Sequence, residues 1–211
     1  MSQFFSLHPD NPQLRLVRQA VEILRNGGVI VTPTDSCYAL ACHIGDKPAM
    51  ERIRAIREVD ARHHFGLLCR NLAEAATYAR IDDPQFRLIK TATPGSYTFI
   101  LHATREVPRR LLHPRRKTIG VRIPSHRVVL ALLAELGEPM LSSTLILPGN
   151  AEPLNDAREI RDRLERRVDL IIDCGSCGAV PTTVVDLTAD VPVITRLGGG
   201  PATVFGELVG A

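Results

Sequence analysis

Apolar residues recur along this chain with two different periods, which predict helices alternating with strands. Between residues 14 and 24 they recur at spacings of three and four, the pattern of a helix with one buried face. Asn11-Pro12 precedes this segment as a helix start, and Gly27-Gly28 follows it as a stop. Val29–Thr32 is apolar without alternation, as expected of a strand covered on both faces.

Segments of the same two kinds continue along the chain. Further helices are predicted to begin at Asp46, Asn71 and Asp83 and to run over about Ser125–Leu136 and Asp156–Arg167. Further strands are predicted at Gly66–Cys69, Tyr97–His102, Ile119–Ile123, Met140–Ser143, Leu170–Asp173, Thr183–Leu187 and Val193–Arg196. The last three strands have no helix between them, which favours a mixed sheet. We therefore predict one α/β domain over residues 1–211, with a flexible Gly-rich tail from about residue 198.

The composition is that of a domain with a full core. The chain has 211 residues, of which 45% are hydrophobic. No apolar run approaches the roughly 18–20 residues that span a bilayer, and the N-terminus lacks the pattern of a secretory signal. Five cysteines, an odd number, suit a reducing compartment better than a disulfide framework. We therefore expect a cytoplasmic protein without a membrane partner.

Positive charge is concentrated in one segment. Residues 105–127 carry eight basic side chains and one acidic side chain, whereas the whole chain has a net charge of only +3. A local positive patch attracts phosphates, although a solvated loop that keeps the protein soluble is an equally open interpretation. The basic residues are Arg105, Arg109, Arg110, Arg115, Arg116, Lys117, Arg122 and Arg127.

Hydroxyl-bearing residues follow two of the predicted strands. Thr34-Asp35-Ser36 comes after Val29–Thr32, and Ser142-Ser143-Thr144 leaves the strand that begins at Met140. Open α/β sheets bind ligands beyond the carboxyl ends of their strands. Either segment alone is explained equally well as a capped turn, because Ser, Thr and Asp satisfy local backbone groups. Two such segments together with a basic patch favour a ligand site.

Three other motifs predict no chemistry. Cys174-Gly-Ser-Cys177 is a single cysteine pair, whereas zinc sites use four ligands, and the surrounding glycines disfavour the helix start of a redox site. His63-His64 has no partner pair at ligand spacing. Gly198–Gly200 does not lead into a helical pattern, so it is not predicted to cradle a phosphate. We predict no bound structural metal.

Five segments in a fixed order resemble the Sua5/YciO/YrdC family, most closely its YciO branch: GGVIVTPTDSCYAL, PGSYTFIL, IGVRIPSH, GEPMLSST, and PTTVVDLT followed by ITRLGGG. The resemblance covers Leu14 to about Gly200. It implies a YrdC-like fold, a twisted open α/β sheet of parallel and antiparallel strands flanked by helices, with a concave basic face. It also implies formation of threonylcarbamoyl-AMP from L-threonine, bicarbonate and ATP with Mg²⁺, on the route to threonylcarbamoyladenosine in tRNA.

Two other functions stay open beside this one. The alternative is a non-catalytic module that binds double-stranded RNA or tRNA, and a carbamoyl-transfer role like that of hydrogenase maturation proteins ranks behind both. The basic patch contains no aromatic residue, which favours contacts to a duplex backbone over stacking on single strands. Its predicted phosphate contacts are Arg105, Arg109, Arg110, Arg115, Arg116 and Lys117.

The resemblance also assigns site residues. Thr34 and Ser36 are expected to line the small-molecule pocket with Tyr38 behind them. Arg122 is expected to grip a carboxylate or phosphate with its planar guanidinium. The remaining expected contacts to substrate or nucleotide are Arg57, Ser142, Thr144, Thr182 and Arg196.

Two family motifs are altered in this chain. The Lys-x-Arg motif reads Arg57-Glu58-Val59, which removes one of two cations, and the Ser-x-Asn motif reads Thr144-Leu145-Ile146. Losing one electrostatic contact to a transition state costs about 10²–10³ in rate, so weak or altered activity is expected. Arg62, His63 and His64 are candidates for the replacement charge. No Ser-His or Cys-His dyad is predicted or required, because the reacting carbamate is already an anion.

Overall fold

The computed structural model describes residues 1–60, 63–113 and 115–208. Its strands are β1 (Gln3–Ser6), β2 (Ile30–Thr32), β3 (Ala39–His43), β4 (Gly66–Leu68), β5 (Tyr97–His102), β6 (Thr118–Arg122), β7 (Met140–Thr144), β8 (Leu170–Asp173), β9 (Thr183–Asp186) and β10 (Val193–Arg196). Its helices are α1 (Leu14–Arg25), α2 (Lys47–Arg57), α3 (Leu72–Tyr78), α4 (Asp83–Ala92), α5 (Arg127–Leu136) and α6 (Ala157–Leu164), and 3₁₀-helices cover Arg109–Leu111 and Ala202–Leu208.

The ten strands form one sheet in the order β1-β8-β2-β3-β7-β4-β6-β5-β9-β10. β8 lies parallel to both β1 and β2, β4 is parallel to β6, and β5 is parallel to β9. The other neighbouring pairs are antiparallel. The predicted open mixed α/β sheet with flanking helices is therefore confirmed.

Helices cover the two faces of this sheet unequally. Alternate residues of a strand point to opposite faces, so Ile30 packs with α1 and α5 while Val31 joins the larger core with α2 and α6. The cluster under α1 and α5 draws residues from β2, β3, β4, β7 and β8 but none from β5, β6 or β9. On that face, the second half of the sheet presents polar or small residues such as Gly66, Thr98 and Gly120 beside Ile100 and Val184. The candidate site lies there.

Two strands and one helix start differ from the prediction. β1 and β3 were not predicted, because β1 is a four-residue edge strand and β3 (ALACH) lacks the β-branched residues of a typical strand. Pairing with β2 and β7 nonetheless holds β3 in the sheet. The predicted start of α1 at Asn11-Pro12 is wrong: the helix begins at Leu14, and its N-cap, Gln13, makes no side-chain cap.

The Gly-rich segment packs back onto the sheet. The Gly198 amide donates to Thr183 Oγ1 at 2.9 Å, and the buried ring of Phe205 lies 5.4 Å from the ring of Tyr97. A Cβ at Gly200 would overlap the Tyr97 ring, so a glycine is needed there for the backbone to pack directly against that ring. The single domain and the flexibility of the tail stay predictions. Within the described part of the chain, no helix is long and apolar enough to cross a membrane.

Candidate functional site

A cavity of about 450 Å³ opens on the half of the sheet that α1 and α5 leave uncovered. Its floor consists of residues from β4, β5, β6 and β9, and its rim includes residues 63–65 and the chain around Pro181. Small or hydroxylated residues on the floor, among them Gly66, Thr98 and Gly120, leave the space open. Four guanidinium groups line it: Arg57, Arg116, Arg122 and Arg196.

Arg122 is the buried cation of this cavity. Its side chain, at the end of β6, is 7% exposed, and its Nη2 lies 3.1 Å from Asp35 Oδ1 and 3.0 Å from Ser36 Oγ. Burial lowers the pKa of Arg122, and the neighbouring Asp35 carboxylate opposes that effect. Its Nε is also buried and has no hydrogen-bond partner among the described residues. A guanidinium at the wall of a cavity suits an anionic ligand.

The Thr34-Asp35-Ser36 turn holds this arginine. Thr34 Oγ1 accepts from the amides of Ser36 and Cys37 at 3.2 and 3.3 Å and donates to the Cys37 carbonyl at 2.6 Å. Thr34 and Ser36 are buried and are not among the residues that line the cavity, in contrast to the expectation. Both instead contact Arg122, whose Nη2 lies 3.5 Å from Thr34 Oγ1 and 3.0 Å from Ser36 Oγ. The capped-turn interpretation and a role in the site are therefore compatible.

Two further residues support this turn. Tyr38 is fully buried and its hydroxyl donates to the Gly175 carbonyl at 2.8 Å. A Cβ at Gly178 would overlap the Ser36 carbonyl oxygen, so the chain of the cysteine pair passes directly against the turn. Burial raises the pKa of Cys174 and of Cys177 to about 12, which keeps both as thiols. This loop therefore acts as packing against the turn, rather than as a source of thiolates.

Arg57 forms a second polar cluster at the C-terminal end of α2. Its Nη1 donates to Ser143 Oγ at 2.6 Å, and its Nε donates to the Ile146 carbonyl at 3.2 Å. His63 Nε2 lies 2.9 Å from Ser143 Oγ and 3.1 Å from Arg57 Nη1. A Ser-His pair therefore exists in the cavity, although the sequence predicted none.

Neither histidine of the 63–64 pair supplies the replacement charge that the sequence suggested. Burial and then the Arg57 guanidinium lower the pKa of His63 to about 4, so the ring is neutral at pH 7. Burial and then His113 also lower the pKa of His64, whose ring stacks on His113 with centroids 4.8 Å apart. Burying a second cation beside Arg57 is costly, which explains the neutral state. The third candidate, Arg62, lies outside the described residues.

The remaining predicted residues converge from β7, β9 and β10. Ser142 Oγ donates to the Gly66 carbonyl at 3.2 Å, and Thr182 Oγ1 lies 2.7 Å from Thr98 Oγ1. Arg196 donates from Nε and Nη2 to the Thr182 carbonyl at 3.1 and 2.9 Å. The predicted residues that line the cavity are Arg57, Arg122, Ser142, Thr144, Thr182 and Arg196.

Sequence reasoning gave no role, or a different role, to several residues that the structure brings to the site. Asp35 is the charge partner of Arg122, and its position inside the Thr34–Ser36 turn was the only signal for it. Thr98 and Thr118 line the cavity from β5 and β6, where their alternation with buried apolar residues marks the opposite face. Ser143 and His63 come from segments with no shared sequence signal.

The basic segment divides into three parts. Its six predicted phosphate contacts, Arg105, Arg109, Arg110, Arg115, Arg116 and Lys117, are all exposed. Arg116 belongs to both the surface and the cavity, and it pairs with Asp186 at 3.3 Å. Arg122 is buried in the cavity instead, and Arg127 pairs with Asp10 at 3.9 Å away from it. The surface patch therefore continues into the cavity through Arg116.

An open mixed sheet that brings guanidinium and hydroxyl groups together around one cavity defines an α/β protein with a positively charged pocket. Residues 22–198 match the model of the Sua5/YciO/YrdC family, described as "Telomere recombination". The chain therefore belongs to the Sua5/YciO/YrdC family.

Known relatives agree with this assignment. The chain is 60% identical to the Escherichia coli K12 protein named "Uncharacterized protein YciO", covering 97% of this chain and 100% of that one; the crystal structure of E. coli YciO superposes with a TM-score of 0.94 at the same identity and coverage. It is 32% identical to the threonylcarbamoyl-AMP synthase of Chromobacterium violaceum over 85% of this chain and 92% of that one. The structure of Pyrococcus abyssi Sua5 complexed with L-threonine matches with a TM-score of 0.89 and 25% identity, covering 99% of this chain and 63% of that one.

Proposed function

We propose that this protein binds ATP and L-threonine in the cavity and forms threonylcarbamoyl-AMP from threonine, bicarbonate and ATP. The observation that carries the proposal is Arg122, a buried cation at the wall of a cavity that three more guanidinium groups of the described residues line. Relatives named threonylcarbamoyl-AMP synthase and a relative complexed with L-threonine support the same ligands. The cytoplasmic location is part of this proposal, because the product serves tRNA.

In the proposed reaction the protein positions the substrates and neutralises the negative charge of the phosphates. A carbamate oxygen of N-carboxythreonine attacks the α-phosphorus of ATP, and pyrophosphate leaves. Arg122 holds the threonine carboxylate or a phosphate, while Arg57 and Arg196 neutralise negative charge on the phosphates. Preorganised donors of this kind contribute because they need no rearrangement when charge develops.

Magnesium is proposed to enter with ATP. No three His, Cys, Asp or Glu side chains form a metal-binding group in the parts of the chain that are described. The donor set nevertheless fits, because Mg²⁺ in such sites keeps several waters and binds mainly through substrate phosphates. Bound there, the ion would supply charge neutralisation on the phosphates.

The altered motifs lead us to expect slow turnover. Ile146 lines the cavity at the position where the Ser-x-Asn motif has its Asn, so an alkyl side chain replaces an amide there. Only the backbone carbonyl of Ile146 accepts a hydrogen bond, from Arg57. In the Lys-x-Arg motif, Val59 stands in place of the second cation. Each lost contact to the transition state is expected to lower the rate by about 10²–10³.

A pyrophosphate-release assay tests the proposal. Purified protein receives threonine, bicarbonate and MgATP, with the C. violaceum synthase as the positive control. We expect turnover that requires both threonine and bicarbonate and that falls at least tenfold in Arg122→Lys, which cannot reproduce the planar fork. Neither turnover nor ATP binding, under conditions in which the control enzyme works, would refute the proposal.

The exposed basic patch favours a second candidate, binding of duplex RNA. All six of its residues are exposed, and Arg116 joins the patch to the cavity. Binding to a phosphate backbone should weaken steeply with salt. We expect the double variant Arg109→Gln, Arg110→Gln to lower the salt dependence of duplex affinity by about two counterions. Affinity that is absent, or that ignores salt, would exclude this function.

A further inference from the structure

Three polar atoms from separate parts of the chain form a closed triangle in the cavity. Ser143 Oγ lies 2.9 Å from His63 Nε2 and 2.6 Å from Arg57 Nη1, and the two nitrogens lie 3.1 Å apart. All three residues line the cavity, and Ser143 itself is only 6% exposed. The threonylcarbamoyl-AMP reaction proposed above needs no such group, because its nucleophile is the carbamate.

The direction of each hydrogen bond follows from the guanidinium. Arg57 has only donors, so the nitrogen it contacts, His63 Nε2, must carry a lone pair rather than a proton. Ser143 Oγ likewise accepts from Arg57, so the serine proton can point at His63 Nε2, whose single lone pair is then shared between the serine hydroxyl and the guanidinium. A neutral ring agrees with the pKa of His63, which burial and Arg57 lower to about 4. The hydroxyl is thus oriented onto a base and polarised by a cation.

This is the arrangement by which serine hydroxyls become nucleophiles. The Ser143–His63 separation falls within the roughly 2.6–3.2 Å that proton transfer to a base requires. Arg57 stabilises an alkoxide on Ser143, but it disfavours a proton on His63. An anion bound between Arg57 and Arg122 would remove that penalty by adding negative charge. The electrostatics therefore select a substrate that carries its own phosphate.

We infer that Ser143 is a nucleophilic residue, with His63 as its base, and that the cavity cleaves mixed anhydrides between a carboxylic or carbamic acid and a phosphate. Ser143 Oγ bonds to the carbonyl carbon, the bond from that carbon to the phosphate oxygen breaks, and the serine proton passes to His63 Nε2. The phosphate or nucleotide leaves as an anion among Arg57, Arg116 and Arg122. His63 then passes the serine proton to the departing phosphate oxygen. In the second step water bonds to the acyl carbon while His63 takes a proton from it, the bond from that carbon to Ser143 Oγ breaks, and His63 returns the proton to Oγ.

This inference rests on the anion-binding cavity of the proposed function but not on ATP. Adenylate synthesis makes a mixed anhydride, and this reaction would cleave such an anhydride at the bond between the carbonyl carbon and the bridging oxygen. The site would therefore hydrolyse an acyl phosphate or acyl adenylate that is not passed on. Slow net synthesis would then have a cause besides the altered motifs.

Acetyl phosphate is the probe, and ATP is left out. Wild-type protein is incubated with it, orthophosphate release is measured, and acid-quenched samples are digested and mapped by mass spectrometry. We expect catalysed release and an acetyl group on the peptide that contains Ser143. Ser143→Ala should lose both signals, and His63→Gln should slow release by about 10²–10⁴. Ser6→Ala, the same kind of change on an exposed residue of the edge strand β1, should match wild type.

Non-specific acetylation of lysines can be distinguished from acetylation of Ser143, because it persists in Ser143→Ala. If Ser143→Ala fails to fold, the wild-type peptide map decides alone. Equal release from wild type and folded Ser143→Ala, or no acetyl group on the Ser143 peptide, would overturn the inference. ATP binding is measured in parallel by calorimetry: ATP binding without Ser143 acetylation refutes this inference alone, whereas acetylation without ATP binding refutes the proposed function alone.

The pH profile provides an independent readout. Titratable or charged groups that face His63 are Arg57 and Arg54 from α2 and Asp60 and His64 from its own loop. Because the pKa of His63 is about 4, release should be flat from pH 6 to 8 and fall only in more acidic solution. A merely structural role for His63 would give a profile in which wild type and His63→Gln fall in parallel. That outcome would also overturn the inference.

Discussion

Replacing Asp35 by Asn tests the central electrostatic feature of the site. The substitution keeps the size of the side chain and removes the charge opposite Arg122, at a separation of 3.1 Å. Both side chains are nearly inaccessible, with 7% and 6% exposure, so water replaces the lost carboxylate poorly. Removing one member of a buried ion pair costs about 3–5 kcal/mol, because the other charge stays buried.

Asp35→Asn should lower the melting temperature by a predictable amount, and pyrophosphate should restore part of the loss. For a chain of this length, the melting temperature should fall by roughly 6–20 °C. At the same time, the uncompensated guanidinium should bind anions more tightly, by roughly tenfold or more, since one charge-assisted hydrogen bond is worth about 1.5–3 kcal/mol. Pyrophosphate should therefore raise the melting temperature of Asp35→Asn more than that of wild type, because ligand binding stabilises by mass action.

Differential scanning calorimetry with and without pyrophosphate measures both effects, and the Asp10–Arg127 pair gives a matched control. Its charges are 3.9 Å apart with 76% and 68% exposure, so Asp10→Asn should change stability by about 1 kcal/mol or less. If Asp35→Asn is as stable as Asp10→Asn, or if pyrophosphate protects it less than wild type, the assignment of Arg122 as a buried anion receptor is refuted.

Three further changes test other parts of the site. Arg57→Met removes the cation of the second cluster but keeps its packing, so pyrophosphate release should fall by about 10²–10³; an unchanged rate would remove Arg57 from the site. The pKa of His63 is lower in the native state than in the unfolded state, so the native state binds fewer protons and its free energy of unfolding should decline as pH falls from about 6.5 to 4. Denaturation of His63→Gln at several pH values should show a shallower decline. Identical slopes for the two proteins would contradict a buried, neutral His63. Gly178→Ala forces a Cβ against the Ser36 carbonyl, so pyrophosphate affinity and melting temperature should both drop, whereas an unaltered affinity would show that this turn does not support the site.

Local sequence signals predicted most of the secondary structure, and the family resemblance assigned most of the site residues. The hydroxyl residues of β7 were found because polar side chains at strand ends stand out against apolar strands, whereas Arg122 was assigned through the family resemblance. β3 was missed because its small apolar residues carry no strand preference, and its place depends on pairing with β2 and β7. Local patterns therefore predict an element only where the element is stable for local reasons.

Charge and partner assignments failed where they depended on three-dimensional neighbours. Thr34 and Ser36 were expected in the pocket, yet they do not line it and instead contact Arg122. His63 was a candidate cation, yet burial beside Arg57 keeps it neutral. A pKa is a property of an environment, and the environment of His63 includes Ser143, 80 residues away along the chain.

The sequence by itself determined the α/β class, the alternation that places hydroxyls and arginines at strand ends, and the motifs of the family. Those features are local, because they follow from the spacing of side chains along one segment. Only the tertiary structure decided which half of the sheet stays uncovered, that Asp35 neutralises Arg122, and that His63 meets Ser143. The physical reason is that Coulomb and hydrogen-bond energies depend on distances in space and on burial, which sequence separation does not fix.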